Sequence, residues 1–169
     1  LQGAWPQVNL TDTLTVRARG SLAGGVGPVM QVHVDGVLVG SANVNNTDFA
    51  DFSFPAFAMQ PGRKVDVAFT NDAYINGQDR NLYVAYLISG NTYLLPNASG
   101  NTIDRGTGAA AFDGANVVAG ASGLTSNGAL RTTWPQPNIT STVTARASGT
   151  LAGNVGPVLR LWVDGVAVG

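Results

Sequence analysis

The chain has 169 residues, room for one sizeable domain or for one domain and part of another. Only 11% of the residues are charged, the formal net charge is −1, and the nine basic residues form no cluster longer than Arg63-Lys64, so the electrostatic footprint of a nucleic-acid binder is missing. No apolar run approaches the ~20 residues needed to span a bilayer, and the absence of cysteine excludes disulfides, thiolate metal sites and a cysteine nucleophile.

In chain order, "LTVRAR" at 14–19 alternates apolar and polar residues and predicts a strand. "PVMQVHV" at 28–34 and "VLVGSANV" at 37–44 flank Asp35-Gly36, a hairpin-turn pair. "FADFSFPAF" at 49–57 alternates aromatics, and Pro55 places it at an edge or bulge. "RKVDVAFT" at 63–70 and "LYVAYLIS" at 82–89 enclose a polar loop. Further short strands are expected near 91–95, 109–118 and 128–134, and no segment has a helical period. Twenty-two glycines, period-2 alternation and closely spaced turn signals indicate an all-β chain: a jelly-roll-like β-sandwich of antiparallel sheets.

Residues 1–40 and 130–169 align without a gap at an offset of 129, and 24 of the 40 positions are identical. This is a tandem repeat. The expected organisation is a complete sandwich at 1–129, with a module-like core at about 14–90, followed at 130–169 by the first part of a second copy. A longer parent with further copies is expected. The orphan strands of 130–169 would either displace 1–40 or pair head-to-tail with neighbouring copies of the protein.

The sharp polar chemistry lies in "FTNDAYINGQDRNLYV", 69–84. Asp72 and Asp79 supply hard anionic oxygens seven residues apart, with Asn76-Gly77 able to turn the chain between them. Calcium prefers six to eight oxygens drawn from carboxylate, amide, carbonyl and water, and this loop offers Asp72, Asp79 and the Asn76 amide. The same residues also suit a plain hairpin loop stapled by Arg80. His33, the only histidine, has no nucleophile or oriented acid implied beside it; its counterpart in the second copy is Trp162, which suggests a packing or surface position. Trp5 and Trp134 are equivalents in "WPQ" and read as core covers at a repeat junction or as sugar-stacking rings. Asp104, Arg105 and Asp113 read as turn and ion-pair residues or as a second set of hard oxygens.

"VRARGSLAGGVGPVMQVHVDG", "VDVAFTND" and "DRNLYVAYLISG" together resemble the calcium-dependent xylan-binding modules of bacterial plant-wall hydrolases, over about 14–90. The resemblance implies a β-sandwich that is not an enzyme, with a calcium ion bridging protein and sugar hydroxyls. It implies Asp72 and Asp79 as calcium ligands, with Asn71, Arg80 and Asn81 bracing the loop, and Tyr74 is the candidate sugar contact. The expected partner is then a polysaccharide, the setting extracellular or cell-surface, with no membrane span. Two positions depart from the family pattern: Val26-Gly27, where an acidic residue often precedes the proline, and Ala85, where the pattern continues with aspartate. The competing expectation is a structural building block of an extracellular filament, adhesin or surface layer.

Overall fold

The computed structural model describes residues 10–135, 147–150, 153, 156–163 and 166–167, in two units, Leu1–Asn138 and Ile139–Gly169. Trp5 lies outside the described residues.

The first unit is a sandwich of two antiparallel sheets. In chain order its strands are β1 (Asp12–Ser21), β2 (Val29–Val34), β3 (Val37–Asn43), β4 (Ala50–Ala56), β5 (Lys64–Phe69), the short pair β6 (Tyr74–Ile75) and β7 (Gln78–Asp79), β8 (Asn81–Ser89), β9 (Thr92–Leu94), β10 (Thr102–Arg105), β11 (Val117–Ala119), β12 (Gly123–Leu124) and β13 (Gly128–Thr133). One sheet runs β12-β8-β1-β4, with β9 also on β8; the other runs β11-β10-β13-β5-β2-β3. Alternation decides which side chains go inside. On β1, Leu14, Val16 and Ala18 are buried, and on β2, Met30, Val32 and Val34. These two sets meet in one core with Phe54, Phe69, Leu87, Leu130 and Trp134. Pro55 sits on β4, an edge strand, where the missing N–H breaks no ladder.

The Asp35-Gly36 turn joins β2 to β3 with both residues at positive φ, 50° and 79°, the geometry of a two-residue hairpin turn that twists with its strands. On the lip beside it, Gly40 is required for a different reason: a Cβ there would overlap the Phe54 ring.

Several elements differ from the sequence expectation, β12 among them. The stretch expected to be a strand at 109–118 begins instead with a 3-10 helix, Gly108–Phe112, followed by β11. Gly106 and Gly108, at φ 150° and 56°, reverse the chain so that Ala111 and Phe112 pack on Ala68 and Ala129, on the outer face of the second sheet. β10, "TIDR", was not anticipated, because a buried aspartate at its centre reads as a turn.

β13 runs across the boundary between the two sequence copies. It pairs with β5 on one side and β10 on the other, and Trp134 closes the ladder by exchanging bonds with Arg63 and Gly62 (2.7 and 3.0 Å). Leu130 and Trp134 are therefore core residues of the first sandwich. The strands of residues 12–43 occupy this sandwich too, so its ladder is filled from both of the repeated segments.

In the second unit, β14 (Trp162–Val163) pairs antiparallel with β15 (Val166–Ala167), Trp162 opposite Ala167 and Val163 opposite Val166. Shifted by the repeat offset of 129, this is the pairing of His33 with Leu38 and Val34 with Val37.

Candidate functional site

Between β5 and β8 the loop folds into a miniature hairpin. β6 and β7 pair Tyr74 with Asp79 and Ile75 with Gln78, around Asn76-Gly77 at φ 52° and 78°. The turn is of the Asn-Gly kind expected, since both residues tolerate positive φ.

The base of the hairpin is held by side chains reaching backbone. Arg80, 6% exposed, donates Nε–H to the Val26 carbonyl (2.9 Å), Nη1–H to Asn71 (2.6 Å) and Nη2–H to Ala23 (2.9 Å). It makes no ion pair with Asp72 or Asp79; its charge is met by carbonyl dipoles. Asn71 accepts from the Val29 N–H through Oδ1 (2.6 Å) and donates Nδ2–H to the Gly27 carbonyl (3.1 Å). Ser21, at the end of β1, donates to the Asp79 carbonyl and accepts from the Asn81 N–H (2.7 and 2.9 Å). Gln78 Oε1 accepts from the Gly24 N–H at 3.0 Å. The loop is thus tied at several points to the stretch 21–29, between the end of β1 and the start of β2.

The candidate oxygens divide into two groups. Asp79 is exposed, and its Oδ2 accepts from Asn81 Nδ2 at 3.1 Å. Asn81 is 7% exposed, and its Oδ1 has no hydrogen-bond partner. Asp72 donates its backbone N–H to Asn127 Oδ1 (2.9 Å) and borders an open cleft of about 550 Å³ lined by Arg105, Thr107, Asn116 and Asn127. Among the described residues, no hydrogen bond ties Asp72 to Asp79, and no three His, Cys, Asp or Glu side chains converge. Tyr74 is 73% exposed at the hairpin rim. Asn76 is exposed at the tip, where its backbone makes the turn.

The two departures from the family pattern have separate physical settings. At Gly27 a Cβ would run into the Val44 carbonyl and the Asn45 side chain, so no side chain fits. Ala85 is the extra residue of a β-bulge: Arg17 faces Tyr86 while Ala18 faces Val84. The bulge turns both Tyr83 and Tyr86 toward the outer face, where Arg19 and Arg17 lie over them at 4.0 and 6.0 Å from the ring centroids.

Elsewhere, Asp104 and Asp66 share Arg131 (3.5 and 3.2 Å), and Asp113 Oδ1 accepts from the Ala115 N–H (2.8 Å). Sequence reasoning gave Asp66 and Arg131 no part, because their partners are 65 and 27 residues distant. No helix among the described residues is long and apolar enough to cross a membrane, which says nothing of a β-barrel.

A two-sheet sandwich carrying a braced, oxygen-rich loop is the architecture of a carbohydrate-binding module. The family model for CBM60, described as a calcium-dependent xylan-binding carbohydrate-binding module, matches residues 13–104, over half of the chain. The chain belongs to this family and is a non-catalytic carbohydrate-binding module. Among solved structures, vCBM60 in complex with galactobiose is similar, with a TM-score of 0.51 and 21% identity over 70% of this chain and 95% of that chain. A selenomethionine form of vCBM60, described with a circular permutation linking two families of calcium-dependent modules, has a TM-score of 0.48 and 24% identity over 72% of this chain and 89% of that one. No curated protein matches the sequence.

Proposed function

We propose that the chain binds a xylan-type polysaccharide through calcium held at the Asp72–Asn81 hairpin, as a module of a secreted, extracellular protein. The observation that carries this reading is Asn81 Oδ1. It is a buried, unpartnered acceptor beside the Asp79 carboxylate, on a loop braced by Arg80. A buried oxygen without a donor is costly unless something supplies positive charge or a proton. A hard cation fits that need and this donor set. Asp79 and Asn81 would supply carboxylate and amide oxygens, Asp72 and main-chain carbonyls the remainder. Asn81 suits the amide role better than Asn76, whose place at the turn tip is explained by its backbone. Calcium, when bound, would offer coordination positions to vicinal sugar hydroxyls, with Tyr74 flanking them.

The test is calorimetry with xylohexaose in calcium and in EDTA, alongside thermal melts. Calcium should raise the melting temperature of the wild type, and Asp72→Ala/Asp79→Ala should remove that rise together with sugar binding. An equal rise in wild type and double variant would sink the proposal.

A second reading has its own observation, the strand that crosses the copy boundary. Successive copies would then be chained by handing a strand backward, as building blocks of a filament or adhesin. Light scattering and electron microscopy of the full chain and of a version ending at Asn138 compare the two. Head-to-tail assembly in the full chain alone favours this reading, and monomers in both exclude it.

A further inference from the structure

The outer face of the second sheet carries a polar row that the hairpin site does not use. Register sets Thr102 opposite Arg131, Arg131 opposite Asp66, and Asp66 opposite His33, straight across β10, β13, β5 and β2. Arg131 is fixed at the centre. Its Nε–H donates to Asp66 Oδ1 (3.2 Å), its Nη1–H to Asp104 Oδ2 (3.5 Å), and its guanidinium lies 5.7 Å from the Phe112 ring centroid. Phe112 also meets His33, with ring centroids 5.1 Å apart.

Two clefts flank this row, about 340 Å³ toward Thr102 and about 540 Å³ toward His33, and both are bordered by Lys64, Asp66 and Arg131. Each cleft has a buried polar atom without a partner. On one side it is Asp104 Oδ1, in a residue with no exposed surface, whose Oδ2 is already occupied by the Gly114 N–H (2.9 Å) and Arg131. On the other it is His33 Nε2.

We infer that this face is a second saccharide cleft, independent of calcium and centred on His33, Asp66, Arg131 and Phe112. The charges of the row balance, Lys64 and Arg131 against Asp66 and Asp104, so neither an anion nor a metal ion is favoured. A neutral ligand that both donates and accepts is, because each cleft holds a buried polar atom without a partner, Asp104 Oδ1 beside one and His33 Nε2 beside the other. Sugar hydroxyls do this, and Phe112 offers an apolar edge for a pyranose ring. Arg131 is already held between two carboxylates, so binding need not immobilise it. Burial pushes the Asp66 carboxyl above its usual range against the pull of Arg131, as expected for an acceptor stripped of water. In the second copy the positions of Gln31 and His33 hold Arg160 and Trp162, again a donor and an aromatic ring. The choice of a saccharide rests on membership of a carbohydrate-binding family, but the site shares no residue with the hairpin.

The test is a nitrogen-15 amide titration of the full chain with xylohexaose and with galactobiose, each in calcium and in EDTA. Saturable shifts at residues 33, 66, 112 and 131 that persist in EDTA are expected. His33→Ala and Phe112→Ala should each weaken that component roughly tenfold while leaving the calcium-dependent component at 72–81 unchanged. Shifts confined to 72–81, shifts abolished everywhere by EDTA, or an EDTA-resistant component indifferent to both variants would overturn the inference. EDTA-resistant shifts without any response at 72–81 would uphold it and remove the calcium proposal instead.

Discussion

Replacing Arg80 with methionine should destabilise the module and disable its hairpin together. The guanidinium gives three charge-assisted bonds to carbonyls, two in the Ala23–Val26 turn and one at Asn71, and hydrogen bonds to charged groups contribute roughly 1.5–3 kcal/mol each. They are not independent losses. Ala23 and Val26 also exchange backbone bonds (3.1 and 3.2 Å), so their carbonyls stay partly satisfied; the Asn71 carbonyl would be stripped. Methionine also removes the desolvation cost of a buried cation that has no carboxylate partner, an offset of several kcal/mol. The net loss comes to about 2–4 kcal/mol. Urea unfolding should read it as a lower midpoint at unchanged slope, with calcium-dependent stabilisation reduced in parallel. Arg80→Lys, which keeps the charge but not the planar fork, should recover less than half of the loss. An Arg80→Met protein within about 0.5 kcal/mol of wild type, the range of ordinary surface changes, would refute the claim that these bonds hold the loop.

Thr132 lies between Leu130 and Trp134 on the inward side of β13, opposite Val65, and its hydroxyl is buried without a partner; Thr132→Val should therefore raise stability by about 1 kcal/mol, and an unchanged or lower urea midpoint would contradict this. Asp66 titrates above its ordinary 3.8 in the folded state because burial opposes its charge. The folded state then binds that proton more tightly than the unfolded state does. Relative to Asp66→Asn, wild-type stability should grow as pH falls through the raised value toward 3.8 and shrink as pH rises past it; a difference that is flat across the acid range, measured by urea unfolding, would refute it.

β1 and β2 were legible because each has one buried face, so sequence and burial pattern carry the same period. The Asn76-Gly77 turn was legible because it is local chemistry. The 3-10 helix was not, because five residues show no period, and its position is set by Ala68 and Ala129, which lie far away in sequence. β10 was missed for a related reason. Asp104 is buried only because Arg131 and the Gly114 N–H meet it there, and neither is apparent from "TIDR". In the hairpin, sequence identified the oxygen-bearing residues but not their grouping. Asn127 holds the Asp72 backbone and Ser21 holds the Asp79 carbonyl, from 55 and 58 residues away.

The strand β13 bears on where the chain could be shortened and still fold. Residues 1–40 recur at 130–169, an offset of 129, and β13, Gly128–Thr133, straddles the point at which the recurrence begins. From the recurring segment at 130–169, Leu130 and Trp134 are enclosed in the core of the sandwich that precedes it. A chain cut after Ala129 loses the greater part of that strand. It gives up Leu130 and Trp134, both almost wholly enclosed, and leaves β5 and β10 without the ladder between them.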